Sequence, residues 1–216
     1  MHKKGFFVTG TDTDVGKTVV SSWLMVHFGA DYWKPIQSGM AEIDSAFVKN
    51  ITGLTADHFH PSIYELIDPL SPHESAKRMG ITLDENRLVL PQSPRPIIVE
   101  GAGGLMVPIN DRFLVVDLIE KLQLPVLLVA RTKLGTINHT LLSLEALRAR
   151  NLSVMGVIMN GTLAPHNKDA IEYYGKVKVL AEIPQMDHIS AEQLRYIKPH
   201  IPFSRWNEEM QLAVAA

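Results

Sequence analysis

Short apolar runs alternate along this chain with stretches in which apolar residues recur every three or four positions. The runs predict strands covered on both faces of a parallel sheet, and they lie at residues 6–9, 32–34, 97–100, 126–129, 154–159 and 179–183. The periodic stretches predict helices buried on one face, and the clearest cover residues 20–27, 115–122 and 137–147. Thr136 is expected to cap the third of these helices. The pattern predicts an α/β fold of three layers, with a mostly parallel central sheet and helices on both faces.

The length of 216 residues suits one domain, and no repeat, low-complexity tract or linker divides the chain. We therefore expect residues 1–216 to form a single domain, whose least regular part is residues 52–94. With 46% apolar and 20% charged residues, the composition is that of a globular protein. The absence of cysteine excludes thiol catalysis, thiolate-bound zinc and disulfides.

Neither a membrane nor a nucleic acid is an expected partner. The apolar runs are far shorter than the ~20 residues of a membrane-spanning helix. The N-terminal residues lack the apolar centre of a signal peptide, so the cytoplasm is the expected location. A net charge of −2 provides no broad basic face, and a polyanionic ligand would have to meet positive charge gathered locally.

The sequence GTDTDVGKT at residues 10–18 joins the first predicted strand to a helix. Backbone N–H groups at a helix N-terminus bind phosphate. Here Gly16 permits close approach, Lys17 reaches the β- and γ-phosphates, and Thr18 offers a hydroxyl to Mg²⁺. The usual spacing places the first glycine where Thr11 stands, one residue after Gly10. Because strand, loop and helix occur in the required order, we prefer a loop of the P-loop NTPase type to a plain glycine turn.

An acidic residue and three glycines follow the apolar strand that begins at residue 97. Glu100 stands where nucleotide hydrolases place an acid that holds Mg²⁺, although that acid is usually Asp. Gly101, Gly103 and Gly104 allow close backbone contact with a ligand. Taken alone, this pattern also fits a strand end before a sharp turn, and the phosphate loop favours the magnesium site.

A second lysine, Lys34, ends the second predicted strand within Lys-Pro-Ile-Gln-Ser-Gly. Two like charges 4 Å apart repel by about 4 kcal/mol at the effective dielectric of a protein surface, and a cation between two anions removes this repulsion. Because phosphoryl transfer depends on positioning and charge neutralisation, Lys34 favours an anionic acceptor over a neutral hydroxyl or water. By itself, Lys34 also fits a surface lysine whose stem covers apolar neighbours.

Two sequence motifs that this chain lacks restrict which nucleotide it is expected to bind and what it uses the nucleotide for. The chain lacks an Asn-Lys-x-Asp element for reading guanine, which disfavours GTP. Switch ATPases of the partition type carry a signature lysine at the position where this chain has Asp12. A partner-regulated P-loop ATPase switch remains the alternative function, weakened by Asp12, and it predicts ATP turnover that requires a macromolecular partner.

The segments GTDTDVGKT, KPIQSG, VEGAGG and KLGTINH occur in this order, and together they resemble dethiobiotin synthetase over roughly residues 4–185. The resemblance implies an ATP-dependent cyclo-ligase that acts in the penultimate step of biotin biosynthesis. Its members convert 7,8-diaminopelargonic acid (7,8-diaminononanoate), CO₂ and ATP into dethiobiotin, ADP and phosphate, with Mg²⁺. One amine forms a carbamate, whose oxygen takes the γ-phosphoryl group. The second amine then displaces phosphate from the carbamic–phosphoric mixed anhydride.

The resemblance also implies a role for each matching residue. Lys34 is the catalytic lysine, and Ser38 contacts the substrate. Thr18, Asp44 and Glu100 hold Mg²⁺, although Asp44 alone also fits an acid at a helix start. The residues implied to bind ATP, of which the last five form the adenine pocket, are Asp14, Val15, Gly16, Lys17, Thr18, Val19, Asp44, Glu100, Gly101, Ala102, Gly103, Asn160, Gly161, Ile183, Pro184 and Gln185.

A homodimer with the substrate near the subunit interface is also implied. Residues 134–138 resemble the segment through which the partner chain binds the substrate carboxylate, and a helix N-terminus there suits an anion. Cobyrinic-acid amidoligases share this nucleotide fold, but they carry a glutaminase domain with a cysteine nucleophile that this chain lacks.

Several segments depart from the family pattern or have no assigned role. Residues 29–32 are unusually short as a helix–strand connection, which puts the length of the first helix in question. Gly161 and Gln185 replace a commoner Asp and Trp, which predicts looser adenine selectivity. Residues 71–73 resemble a family element without a role, and residues from 187 onward match no family element. His58 and His60 are expected in a solvated loop and not in a metal site.

Overall fold

The computed structural model describes residues 5–206. Seven strands form one parallel sheet in the order β4-β2-β6-β1-β7-β8-β9. The strands in chain order are β1 Gly5–Gly10, β2 Asp31–Trp33, β3 Ile36–Ser38, β4 Phe59–His60, β5 Tyr64–Leu66, β6 Ile97–Gly104, β7 Val126–Arg131, β8 Val154–Asn160 and β9 Val179–Ile183. Strands β3 and β5 pair in parallel as a separate small sheet.

Helices cover both faces of the large sheet, as the sequence pattern predicts. They are α1 Lys17–Phe28, α2 Asp44–Thr52, α3 Pro72–Arg78, α4 Val115–Leu122, α5 Thr136–Ala149, α6 Pro165–Gly175 and α7 Ala191–Tyr196. Phe6 and Val8 of β1 point to a core shared with α1, α2 and α7. The next residue along, Phe7, points to the opposite core, which includes α3 and α4. This alternation is the period of two that a strand buried on both faces must show.

All six predicted strands are present, and β6 extends past Glu100 through the glycines to Gly104. Strands β3, β4 and β5 were not predicted, because runs of two or three residues are too short to show a period. Strands β4 and β5 lie in the segment 52–94, whose pattern is the least regular, and β5 pairs with β3 outside it. The single-domain prediction for residues 1–216 includes residues outside the described range and stays a prediction.

Two local predictions are wrong. Thr136 does not cap α5: Gly135 is the cap with φ 91°, Thr136 is the first helical residue, and its hydroxyl donates to the Arg131 carbonyl. His58 and His60 do not lie in a solvated loop. Each places a ring nitrogen 3.4 Å from a carboxylate oxygen of Asp31, which is buried at the start of β2. His58 Nδ1 also lies 2.9 Å from the Ala30 carbonyl oxygen, and both imidazoles are partly buried against the sheet.

The short connection after α1 leaves that helix intact. Helix α1 keeps 12 residues and ends at Gly29, whose φ of 55° is the left-handed conformation that terminates many helices. Within residues 5–206, none of the helices combines the length and the apolar composition needed to cross a lipid bilayer. The cytoplasmic location stays a prediction from the sequence.

The parallel topology determines where a ligand site forms. The carboxyl ends of β1, β2 and β6 lie side by side at one edge of the sheet. In parallel α/β sheets this edge is where the loops create a crevice. The phosphate loop follows β1, Lys34 follows β2, and the glycines after Glu100 form the carboxyl end of β6.

Candidate active site

The phosphate loop joins β1 to α1, and its residue just before α1, Gly16, has a backbone conformation that favours glycine. Gly16 has φ 91°, and a Cβ atom there would lie 2.1 Å from Nδ2 of Asn160. Asp14 also has a positive φ, of 56°. Lys17 folds back over the loop, with Nζ 3.1 Å from the Asp12 carbonyl oxygen. The first N–H groups of α1 have no acceptor within the helix, so this end can donate to phosphate.

Lys34 lies beside this loop, between two carboxylates from different elements. Its Nζ is 2.7 Å from Oδ2 of Asp44, the first residue of α2, and 3.0 Å from Oε1 of Glu100 in β6. It also donates to the Gly101 carbonyl oxygen at 3.1 Å. Trp33 pairs with Val99, so the next residues along the two strands, Lys34 and Glu100, fall opposite each other. The sheet register therefore brings these two residues together.

Glu100 is 1% exposed and accepts hydrogen bonds on both carboxylate oxygens. Ser21 Oγ and Tyr32 OH donate to Oε2 at 2.7 and 3.0 Å. Oε1 lies 3.0 Å from both Thr18 Oγ1 and Lys34 Nζ. A buried carboxylate is stable only when its oxygens are hydrogen-bonded and its charge is compensated, and both conditions are met here.

The two lysines experience opposite electrostatic environments. Burial, and then the positive charge of Lys34, lower the pKa of Lys17. Burial alone would also lower the pKa of Lys34, but the carboxylates of Glu100 and Asp44 outweigh it and raise that pKa. Burial and the Glu100 charge hold the pKa of Tyr32 well above its usual value. Lys34 is therefore a permanent cation at physiological pH, and Tyr32 is a neutral hydroxyl.

Three oxygen atoms converge next to Lys17. Thr18 Oγ1 is 2.9 Å from Asp44 Oδ1 and 3.0 Å from Glu100 Oε1. Hydroxyl and carboxylate oxygens are the ligands that Mg²⁺ accepts, with the remainder supplied by phosphates and water. Among residues 5–206, no group of three or more His, Cys, Asp and Glu side chains could hold a metal by itself. The donor set thus fits a metal ion that shares its coordination with a nucleotide.

A cavity of about 960 Å³ opens over these groups. It is lined on one side by the phosphate loop and on the other by the loop 39–44 and the segment 67–72. The residues proposed from the sequence that line it are Asp14, Gly16, Lys17, Thr18, Val19, Lys34, Ser38, Asp44, Glu100, Ala102 and Gly103. The oxygen of the buried Ser38 hydroxyl finds no hydrogen-bond partner within the described residues.

Comparisons with known proteins agree with this geometry. A family model described as an AAA domain matches residues 4–193. The ATP-dependent dethiobiotin synthetase BioD of Paramagnetospirillum magneticum (strain AMB-1) is 52% identical over 91% of this chain and 95% of its own length. The chain belongs to the dethiobiotin synthetase family. A second family member, from Lawsonia intracellularis, is 47% identical over 89% of this chain and 93% of its own length.

Solved structures resemble this dethiobiotin synthetase family member in fold alone. A ParA family ATPase from Chlorobium tepidum superimposes with a TM-score of 0.53 at 14% identity and covers 91% of this chain and 90% of its own. A complex of McdA with ATP from Cyanothece gives 0.52 at 13% identity, covering 99% and 97%. Both neighbours confirm the P-loop NTPase fold. At this identity they carry no argument for the partner-regulated switch.

The residues that the resemblance assigns to the adenine pocket lie outside the large cavity, at the ends of β8 and β9. Asn160 ends β8 and donates from Nδ2 to the Val15 carbonyl oxygen at 3.2 Å, directly behind the phosphate loop. Gly161 N donates to the Ile183 carbonyl oxygen at 2.9 Å. Pro184 and Gln185 follow β9 next to this bond. The structure thus groups these residues at the same edge of the sheet, on the far side of the phosphate loop.

Three residues of this synthetase-family site escaped the sequence analysis. Ser21 and Tyr32 contact Glu100 from α1 and β2 but carry no motif of their own. Gln37 is buried, donates from Nε2 to the Gly39 carbonyl oxygen at 3.0 Å, and accepts from Asp44 N at 3.2 Å. The sequence feature that could have identified Gln37 as a site residue is its position within the motif Lys-Pro-Ile-Gln-Ser-Gly. Gln37 holds the loop 39–44, which carries the Asp44 carboxylate to Lys34.

Two further segments of the family pattern can now be placed. Ser71 and Pro72 line the large cavity at the start of α3, which gives the unassigned family element a position at the site. Residues 134–138 do not line this cavity. Leu134 is fully exposed just before Gly135 and the first turn of α5. Gly135 and Asn138 are exposed as well, whereas Thr136 is buried.

Proposed function

We propose that this chain catalyses the ATP-dependent closure of a cyclic urea on 7,8-diaminopelargonic acid, giving dethiobiotin, ADP and phosphate. It is a ligase of biotin biosynthesis, in agreement with its relatives. The observation that carries the proposal is the pair of buried ammonium groups, Lys17 and Lys34, which come from different elements and line one cavity. Such a pair suits a reaction in which a phosphoryl group moves between two anions.

The phosphate loop holds ATP in this proposal. Asp14, Val15, Gly16 and Val19 surround the phosphates with their backbone, and Lys17 neutralises the transferred phosphoryl group. The support is the left-handed φ of Gly16, which turns the loop into the N-terminus of α1, where N–H groups without a partner in the helix can donate to an anion. ATP thereby presents its γ-phosphorus to the cavity that Lys34 lines.

Lys34 neutralises the acceptor. One amine of the substrate adds to CO₂ and releases a proton to solvent, which gives a carbamate anion, and a carbamate oxygen attacks the γ-phosphorus as the bond to ADP breaks. Lys34 is charged because Glu100 and Asp44 raise its pKa, so it can stabilise both the carbamate and the moving phosphoryl group. The second amine then attacks the carbonyl carbon, loses a proton and expels phosphate, which closes the ring.

Thr18, Asp44 and Glu100 would hold Mg²⁺ together with ATP. The metal would neutralise phosphate charge and orient the γ-phosphoryl group. The support is the position of Thr18 Oγ1, which lies 2.9 Å from Asp44 Oδ1 and 3.0 Å from Glu100 Oε1. Asp44 and Glu100 therefore have two tasks, since they also hold the ammonium of Lys34.

The remaining assigned residues are proposed to bind the substrate and the base. Ser38 lines the cavity, and its buried hydroxyl has no protein partner within residues 5–206, so the proposal gives it a polar group of the diamine as partner. Gly101, Ala102 and Gly103 would offer backbone groups. Adenine would contact Asn160, Gly161, Ile183, Pro184 and Gln185, which the 2.9 Å bond between Gly161 N and the Ile183 carbonyl oxygen holds together.

A homodimer completes the proposal, with residues 134–138 of the partner chain at the substrate carboxylate. The support is the full exposure of Leu134 at the N-terminus of α5. Replacing it by aspartate should shift the protein toward monomer in size-exclusion chromatography with light scattering, because a charge would enter an apolar contact. The matched control is Tyr196→Asp on α7, another exposed position, on the opposite face of the sheet.

The deciding experiment measures phosphate release from MgATP with and without 7,8-diaminopelargonic acid plus bicarbonate, and follows the organic product by mass spectrometry. We expect release to depend on the diamine and the product to carry a carbonyl between its two nitrogens. ATP hydrolysis that ignores the diamine would contradict the proposal and direct attention to the switch ATPases.

A further inference from the structure

The two oxygens of the Glu100 carboxylate have different partners. Oε1 lies 3.0 Å from Thr18 Oγ1 and 3.0 Å from Lys34 Nζ, the groups that line the large cavity. Oε2 accepts from Ser21 Oγ at 2.7 Å and from Tyr32 OH at 3.0 Å. Neither Ser21 nor Tyr32 lines that cavity. One oxygen is thus available to the site, and the other is occupied behind it.

The arrangement follows from the periods of a helix and a strand. On α1, Ser21 lies three residues after Thr18, so both side chains share one helix face. On β2, Tyr32 lies two residues before Lys34, so both point to the same side of the sheet. Each element therefore contributes one partner to each oxygen of Glu100.

We propose that Ser21 and Tyr32 are positioning residues that fix the rotation of the Glu100 carboxylate, so that Oε1 alone faces the magnesium ion. This inference rests on the proposed function. The last torsion angle of a glutamate side chain has a broad distribution, so the side chain by itself does not determine which carboxylate oxygen faces the cavity. Two donors on Oε2 remove this freedom. Ser21 and Tyr32 are fully buried, so they cannot touch the substrate and act only through Glu100.

Removing either donor has a predictable result. The carboxylate loses one bond on its buried side and becomes free to turn, which lowers its affinity for the metal. Outer-shell partners of metal ligands typically contribute about 10- to 100-fold in metal affinity. We expect roughly a tenfold loss for Tyr32→Phe and for Ser21→Ala, and a larger loss for the double variant.

The test measures binding of Mn²⁺, as a probe for Mg²⁺, to the enzyme–ADP complex by electron paramagnetic resonance. Tyr64→Phe is the matched control. Tyr64 is also buried and does not line the cavity, and the substitution removes the hydrogen bonds between its hydroxyl and the backbone of Asp84. Thermal unfolding reports the stability of each variant. Metal affinity that is unchanged in both single variants, or equally weakened in Tyr64→Phe, would overturn the inference.

Turnover supplies a second and separate readout. With diamine and bicarbonate, the variants should need more Mg²⁺ for half-maximal rate while keeping most of the rate at saturating Mg²⁺. A loss of maximal rate with unchanged Mg²⁺ dependence would contradict a positioning role. Failure of the proposed function is distinguishable, because wild-type protein would then show no diamine-dependent turnover while its Mn²⁺ affinity still responded to Tyr32→Phe.

Discussion

Two buried carboxylates at opposite ends of the β2–β6 pair invite comparison. Asp31 at the start of β2 and Glu100 near the end of β6 are each 1% exposed. Asp31 accepts from Arg95 Nε at 2.5 Å and from Ser93 Oγ at 2.5 Å. Glu100 is paired with Lys34 and accepts from hydroxyl donors in the same way. The chemistry of the two clusters is therefore nearly the same.

Their surroundings differ. Lys34 has a second carboxylate, Asp44 at 2.7 Å, and its cluster opens on the cavity of about 960 Å³ beside the phosphate loop. The Asp31 cluster does not line that cavity, and Arg95 also binds the carbonyl and the carboxylate of Asp57. A buried ion pair is thus not by itself a sign of function. The adjoining phosphate loop and the open space distinguish the Glu100 cluster.

The largest expected effect distinguishes Lys34, the cation of the Glu100 cluster, from Arg95, the cation of the Asp31 cluster. Lys34→Gln should lower diamine-dependent turnover by about 10²- to 10³-fold, the usual consequence of removing one electrostatic stabiliser of a transition state. Nucleotide binding should persist, because Lys17 and the loop remain. Steady-state kinetics and ADP titration calorimetry measure the two quantities. Near-normal turnover in this variant would remove Lys34 from the reaction.

The second prediction addresses the other cluster. Arg95→Met leaves Asp31 buried without its main cation and should therefore lower the free energy of unfolding by more than the same change at an exposed ion pair. Urea unfolding measures the loss, with the exposed pair variant Arg78→Met as control. Turnover per folded molecule should stay close to wild type, and a large fall would show that the Asp31 cluster also serves the reaction.

The third prediction compares the carboxylates directly. Glu100→Gln should raise the Mg²⁺ concentration for half-maximal rate roughly tenfold, because an amide is a poorer ligand for a hard cation. Asp31→Asn is the matched change at the structural cluster and should leave the Mg²⁺ dependence unaltered. Rates measured across a magnesium titration decide the point. Equal shifts in both variants would mean that the effect is general destabilisation.

The large sheet, and which residues line the cavity beside the phosphate loop, were easier to predict from the sequence than the contacts that support them. Short continuous apolar runs such as 126–129 favour buried strands because they are too short for a typical helix, and the phosphate loop and Lys34 each stand at a strand end. The strands β3 to β5 lacked enough residues for a pattern. Tyr32 and Ser21 are ordinary core positions by sequence. The pairing of β2 with β6 brings Tyr32 to Glu100, and the packing of α1 against β6 brings Ser21 there.

The Asp31 cluster could not be predicted for a related reason. Asp31 and Arg95 are 64 residues apart and carry no shared motif, so their contact depends on the pairing of β2 with β6. The pattern around His58 and His60 looked polar and irregular, which favoured a solvated loop. A buried carboxylate in the neighbouring strand reverses that interpretation, and single-sequence patterns do not contain this information.

The smallest expected effect concerns pH and distinguishes Lys34 from Arg95 by their influence on Lys17. Burial is the main cause that lowers the pKa of Lys17, and the charge of Lys34 is the second. ATP phosphates favour the protonated lysine, so affinity should fall as the pH rises through this lowered pKa. In Lys34→Gln the second cause is gone, the pKa of Lys17 moves up toward its ordinary value, and the fall should begin at higher pH. In Arg95→Met the loss of affinity should begin at the same pH as in the wild type, since Arg95 does not contribute to the shift in the Lys17 pKa. Measurements of ADP affinity across the alkaline pH range test this prediction. The same pH dependence in the wild type and both variants would show that burial alone lowers the pKa of Lys17.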